Sequence, residues 1–218
     1  MAQHSGAPIS CALDLVVVVP ASEFSAALDD LTSGTSVATV GPSGDLESEC
    51  ITAALDDRPG GRRRPVFVVA STTTILHTAP LVVALRSRLA IDHVPVALAD
   101  PNCDIDILWG HIFEAGMPAN PPGPISTEPP LATMVTMTTR AHTAVAPLQV
   151  VREGRDALAI WLALDAANNV AFTFIDGTGR ADLAAIAAAI ARRPLTVGTP
   201  TLLRELLRLQ TPAHSITS

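Results

Sequence analysis

A chain of 218 residues, 48% of them hydrophobic, has enough apolar material for one large core or two small ones. Its formal net charge of -7 excludes the concentrated basic surface that a phosphate backbone demands, so no nucleic-acid partner is expected. All 14 basic residues are Arg, which excludes a lysine phosphate clamp, a Schiff base and a lysine general base.

No apolar run reaches about 18 residues, so no membrane-spanning helix is expected. Asp14 interrupts the first apolar stretch, and no Lys or Arg precedes it, which argues against a signal peptide. The reading is a soluble cytoplasmic protein. Cys11, Cys50 and Cys103 are odd in number, far apart and without metal-ligand spacing, so they read as reduced thiols.

Residues 1–12 read as a loose tail. A strand follows at 15–19, a run that includes four consecutive valines, and a helix over 22–31 with Ser22 as its cap. A strand at 36–40 leads to a helix over 45–55 capped by Ser43. Residues 57–65, with Arg62, Arg63 and Arg64, form a solvated loop. A strand at 66–70, a helix over 79–89 and a strand at 94–98 follow. Residues 100–130 are rich in Pro and Gly and read as one long loop, the kind that often carries function. Then come a helix over 131–138, a strand at 143–146, a helix over 154–167, a strand at 171–175, a helix over 181–191 and a strand at 195–197. The last helix spans 200–209, with Thr199 as cap and Pro200 at its first position; residues 211–218 are a tail. Strands alternating with helices predict a three-layer αβα sandwich with a mostly parallel sheet, one α/β domain over 13–210.

In such a sheet, ligands bind beyond the carboxyl ends of the strands. Two turns stand there. Ser22, Glu23 and Ser25, with Asp29 a turn later, follow the first strand. Glu23 is either a ligand-binding or catalytic carboxylate or an acid supporting a helix start; Ser22 is a cap or a ligand contact; Asp29 lines the cleft or faces solvent. Ser71, Thr72, Thr73 and Thr74 follow the third strand and either hydrogen-bond an oxyanion or sugar hydroxyl or cap the next helix. His111 is an acid/base candidate or an ordinary loop histidine. Asp100, Asp104 and Asp106 are weighed as a metal site and read as a half-buried segment instead, so no metal is expected. Asp176 ends a strand and either reaches a ligand or forms a turn.

The order of these motifs resembles the N-terminal, sugar-binding domain of the four-carbon acid sugar kinase family. Ala21-Ser22-Glu23-Phe24-Ser25-Ala26-Ala27-Leu28-Asp29 is similar to that family's A-D-D-F-T-G-A-x-D, with Ala21, Phe24, Ala27 and Asp29 identical. Ala70-Ser71-Thr72-Thr73-Thr74-Ile75-Leu76 resembles D-S-T-L-R-G-N, with Ser71 and Thr72 kept. Gly110, Gly116 and Pro118 match a G-x-x-x-x-x-G-x-P segment, and His111 sits near the family's histidine. Pro147 to Gly154, Phe174 to Leu183 and Val197 to Leu202 resemble its later motifs, so the likeness runs from about residue 14 to 209.

The resemblance implies a domain that holds a small acid such as threonate or erythronate, beside a second domain that holds ATP. Two departures matter. A bidentate Arg is the favoured grip on a carboxylate, and the family's Arg positions are Thr74 and Ile105 here. Gly41-Pro42-Ser43-Gly44 and Gly177-Thr178-Gly179 are too short and lysine-free for a phosphate loop. The expected function is therefore a binding, regulatory or vestigial domain without kinase activity on its own, with ATP and magnesium only if a separate nucleotide-binding domain supplies them. A split-kinase subunit using Glu23, Asp29 and Ser71 is the alternative; an unrelated doubly wound enzyme is the third reading. A homodimer or a nucleotide-binding partner subunit is the expected assembly.

Overall fold

The computed structural model describes residues 16–20, 36–40, 65–118 and 129–210. Ten strands and six helices lie within them. In chain order they are β1 (Val16–Pro20), β2 (Ser36–Val40), β3 (Val66–Val69), α1 (Ile75–Leu89), β4 (Val94–Ala97), β5 (Ile105–Leu108), β6 (His111–Glu114) and β7 (Met117–Pro118). There follow α2 (Leu131–Thr139), β8 (Thr143–Ala146), α3 (Leu148–Arg152), α4 (Arg155–Ala167), β9 (Phe172–Ile175), α5 (Arg180–Ile190), β10 (Leu195–Gly198) and α6 (Pro200–Gln210).

Seven strands form one sheet in the order β2-β1-β3-β10-β4-β9-β8, and every pairing in it is parallel. All seven carboxyl ends therefore share one edge. All four residues of β3, β4, β9 and β10 are buried. Continuous apolar strands of this kind need cover on both faces. Helices α1 and α2 pack together, and α4, α5 and α6 form a second packed row. The fold is the expected α/β sandwich. Its core holds Phe67, Phe172, Phe174, Leu85, Leu158 and Leu162, all nearly solvent-free. Each such side chain contributes roughly 1.5–3 kcal/mol relative to exposure. No helix among the described residues is long and apolar enough to cross a membrane. Cys103 is exposed and free; Cys11 and Cys50 lie outside the described residues.

Three elements differ from the sequence reading, the smallest being α3, a short helix where none was expected. Helix α1 begins at Ile75, four residues before the expected start, and Pro80 lies inside it. A proline is best tolerated in a first turn, and here it is the sixth residue of the helix. The largest difference is in 100–130, where β5, β6 and β7 make an antiparallel meander. Its two turns, Trp109-Gly110 and Ala115-Gly116, have positive φ at both residues: 55° and 72°, then 49° and 76°. That is the type I′ geometry whose twist suits a two-residue hairpin. Asn-Gly is the usual signature; Trp-Gly and Ala-Gly carry only half of it, and the strands are too short to show clear alternation.

Trp109 is 74% exposed on this turn. A left-handed conformation costs a non-glycine L-residue about 1–2 kcal/mol, and Asn bears it more easily. Trp109→Asn is therefore expected to raise stability by about 0.5–1 kcal/mol, measured as the urea midpoint. A lower midpoint would mean that the indole contributes packing that outweighs the turn strain.

Candidate functional site

The carboxyl edge begins with the turn after β3. Strand β3 pairs with β1 in the register Val16↔Val66 to Val18↔Val68, so this turn sits beside the end of β1. Ser22, Glu23, Ser25 and Asp29 lie outside the described residues. Ser71, Thr72 and Thr74 lie within them and are brought together. The Ser71 Oγ is 2.9 Å from the Thr73 Oγ1 and 3.0 Å from the Thr74 Oγ1, and the Ser71 N–H donates to the Thr74 Oγ1 at 3.0 Å. The Thr78 hydroxyl donates to the Thr74 carbonyl at 3.0 Å, locking the turn to α1. Thr72 is buried, Ser71 and Thr74 are half-buried and Thr73 is exposed.

Each hydroxyl carries one donor and two acceptor positions, and the amino end of α1 adds a partial positive charge. The turn has the chemistry to hydrogen-bond a polyol or an oxyanion. None of its own four residues carries a guanidinium. Thr74 turns its side chain back onto Ser71, and Ile105 on β5 packs against the core.

Farther along the edge a polar network crosses three elements. Asp100, buried after β4, accepts from the Thr201 hydroxyl at 2.7 Å and the Asn102 N–H at 3.0 Å. The Asn102 Nδ2 donates to the Thr201 Oγ1 at 2.9 Å, and the Arg180 Nη2 donates to the Asn102 Oδ1 at 3.0 Å. Burial, and then the neighbouring Asp104 and Asp182, push the Asp106 carboxyl above its ordinary pKa. Among the described residues no group of three or more His, Cys, Asp or Glu side chains is placed to hold a metal ion.

Asp176 follows β9 and is 1% exposed. Its carboxylate accepts the N–H groups of Trp109 at 2.7 Å, Gly110 at 3.1 Å and Leu148 at 3.3 Å. Burial holds its pKa above the ordinary carboxylate value, and the three amides and the nearby His111 offset only part of that rise. Asp176 thus pins the β5–β6 turn and the start of α3 to the edge of the sheet. His111 is exposed at the start of β6, beside this clamp. Strand β9 stands three places from β3 in the sheet. At about 4.8 Å per strand that is about 14 Å, so His111 does not join the hydroxyl turn.

Sequence reasoning attached no arginine to this edge, yet two stand there. The Arg152 Nη2 donates to the Thr178 Oγ1 at 3.2 Å, and its Nε lies 3.6 Å from Asp182. The Thr178 N–H and hydroxyl both donate to the Asp182 Oδ2 at 3.0 Å. Leu148, Gln149, Arg152 and Glu153 line an open pocket of about 480 Å³. The only signal for these residues was their place directly after an apolar strand, in Pro147 to Gly154 and after Gly177-Thr178-Gly179.

A fully parallel seven-stranded sheet with helices packed against it defines a doubly wound α/β type of domain. No family model matches the sequence, and no curated protein matches it. Solved structures do match in fold. A Haemophilus influenzae protein of the DUF1537 group superposes with a TM-score of 0.57 at 20% identity, over 67% of this chain and 38% of that one. A Salmonella typhimurium protein, provisionally described as a tRNA synthase, gives 0.70 at 17% identity, over 89% of this chain and 55% of that one. A DUF1537 domain from Bordetella bronchiseptica, a domain-swapped dimer with bound citrate, gives 0.63 at 14% identity, over 89% and 55%. This chain spans about half the length of those proteins, or less. It has the fold found in part of the DUF1537 proteins, the four-carbon acid sugar kinase family, so the resemblance read from the motifs holds at the level of fold.

Proposed function

We propose that this chain is a cytoplasmic domain that binds a small hydroxylated acid at the carboxyl edge of its sheet and does not transfer phosphoryl groups on its own. The observation that carries this reading is the Ser71–Thr74 hydroxyl turn, set at the end of β3 and the start of α1 beside β1. The citrate bound by the Bordetella protein supports the ligand class. The lack of a kinase function is supported by 218 residues without a lysine or a Gly-rich phosphate loop, since phosphoryl transfer rests on positioning and neutralising the γ-phosphate.

The test is a thermal-shift series with threonate, erythronate, citrate, sugar phosphates and ATP. A four-carbon acid or citrate present at a hundred times its Kd is expected to add about 2.7 kcal/mol, a shift of several degrees. Ser71→Ala and Thr74→Val are expected to shrink that shift. No response to any acid would remove the binding reading, and ATP turnover with a four-carbon acid by the purified chain would remove the other half.

One further reading is the sugar-binding subunit of a split kinase whose nucleotide-binding half is a separate chain, supported by the fold shared with part of the DUF1537 proteins. Copurification with such a chain is its expected signature, and phosphorylation failing in the reconstituted pair would end it. A homodimer belongs to the same proposal, since the Bordetella protein is a dimer; light scattering that returned a monomer, with and without citrate, would exclude it.

A further inference from the structure

The opposite, amino-terminal end of the sheet holds a buried polar chain that the binding reading does not use. His93 precedes β4 and is 5% exposed. Its Nε2 lies 2.8 Å from the Thr173 Oγ1 on β9. The Thr173 hydroxyl gives its own proton to the Asp165 Oδ2 on α4, at 2.6 Å. The hydroxyl must therefore accept from His93, which fixes the imidazole as the neutral tautomer with its proton on Nε2. The other ring nitrogen, Nδ1, is buried without a partner.

The charges around it oppose a second proton. Arg86 on α1, tied to the Ile91 carbonyl at 3.0 Å, and Arg193 after α5 both act on the ring as cations. Asp165 is the one carboxylate in this hydrogen-bonded series, a hydroxyl away; Asp92, next in sequence, is exposed. Burial first, then Arg193 and Arg86, hold the His93 pKa down to about 4.

We propose that His93, Thr173 and Asp165 form an acid-sensitive latch, which ties the amino ends of β4 and β9 to the carboxyl-terminal part of α4 while His93 is neutral and opens when Nδ1 takes a proton. The added N–H would face no acceptor, and the added charge would sit in the core beside two guanidinium groups. Moving the ring out to water relieves both, and that movement releases the connection between α1 and β4.

The sign follows from linkage. The unfolded histidine, with a pKa near 6.5, takes its proton before the folded one does. The latch is at full strength above pH 6.5, weakens as pH falls toward 4 and changes no further below that.

The test compares the wild-type protein with His93→Gln, whose amide keeps an N–H near the Nε2 position and does not titrate. Between pH 7.5 and 4.5 the unfolding constant of the wild type should rise about 70-fold more than that of the variant. An equal rise in both would overturn the latch. Should the variant fail to fold, an NMR titration of the folded wild type decides: a His93 ring still neutral at pH 5 supports the latch, and one titrating near 6.5 overturns it. Amide exchange at Val94–Ala97, corrected for intrinsic rate, should also quicken as pH falls. Protection unchanged down to pH 4.5 would mean a buried histidine that releases nothing.

Discussion

Asp176→Ala is expected to destabilise the protein by about 3–5 kcal/mol, the larger of two losses that the carboxyl edge predicts. One carboxylate satisfies three backbone N–H groups from two separate segments. Truncation leaves all three donors unpaired, and Asp176 and Gly110 are buried. An unsatisfied buried donor costs about 1–3 kcal/mol, and water entering the cavity returns part of that. Asp176→Asn should be milder, about 1.5–3 kcal/mol, because its carbonyl oxygen still accepts while its NH₂ opposes a donor. Urea unfolding measures both, and limited proteolysis near Trp109 reads the release of the meander. A loss below about 1 kcal/mol for the Ala variant would show that other groups take over the three amides. Binding of an acid at the Ser71 turn should survive in whatever Asp176→Asn protein remains folded, since the two places are about 14 Å apart by strand spacing.

The role of Asp176 rests on contacts distant in sequence. Trp109 and Leu148 precede it by 67 and 28 positions. Nothing in a local window joins them, so the sequence showed a polar residue ending an apolar strand and no more. The strands of the parallel sheet were legible because they are short, mainly apolar runs, the pattern of burial on both faces. The cap and first turn of α6 were legible for a local reason: the Thr199 hydroxyl accepts the Leu202 N–H at 3.3 Å. The meander was not, because Trp109-Gly110 and Ala115-Gly116 lack the Asn that marks a type I′ turn. The hydroxyl turn could be found from sequence, since it follows β3 without interruption. Arg152 and Arg180 could not, because their relevance depends on which strand ends the topology sets side by side.

Gly198 offers the second large prediction, and it ties a sequence motif to the shape of that edge. It ends β10, between β3 and β4. A Cβ there would fall 2.5 Å from the Leu202 Cδ2, 3.1 Å from the Ala97 carbonyl oxygen and 3.1 Å from the Phe67 Cζ. The leucine tip can move, but Leu202 is wholly buried, and the other two neighbours are backbone and a core aromatic ring. Gly198→Ala should therefore cost about 1–3 kcal/mol, and Gly198→Val more than that. The displaced leucine belongs to the first turns of α6, which also carry Thr201 to Asp100 and so reach Asn102 and Arg180. A glycine in Val197-Gly198-Thr199 thus lets α6 come close enough for its hydroxyl to meet the carboxylate after β4. Leu202→Ala opens the space that the added methyl needs, so the double variant should be more stable than the sum of the single losses by about 0.5–3 kcal/mol. Strict additivity in urea unfolding would place the cost of Gly198→Ala elsewhere than in this contact.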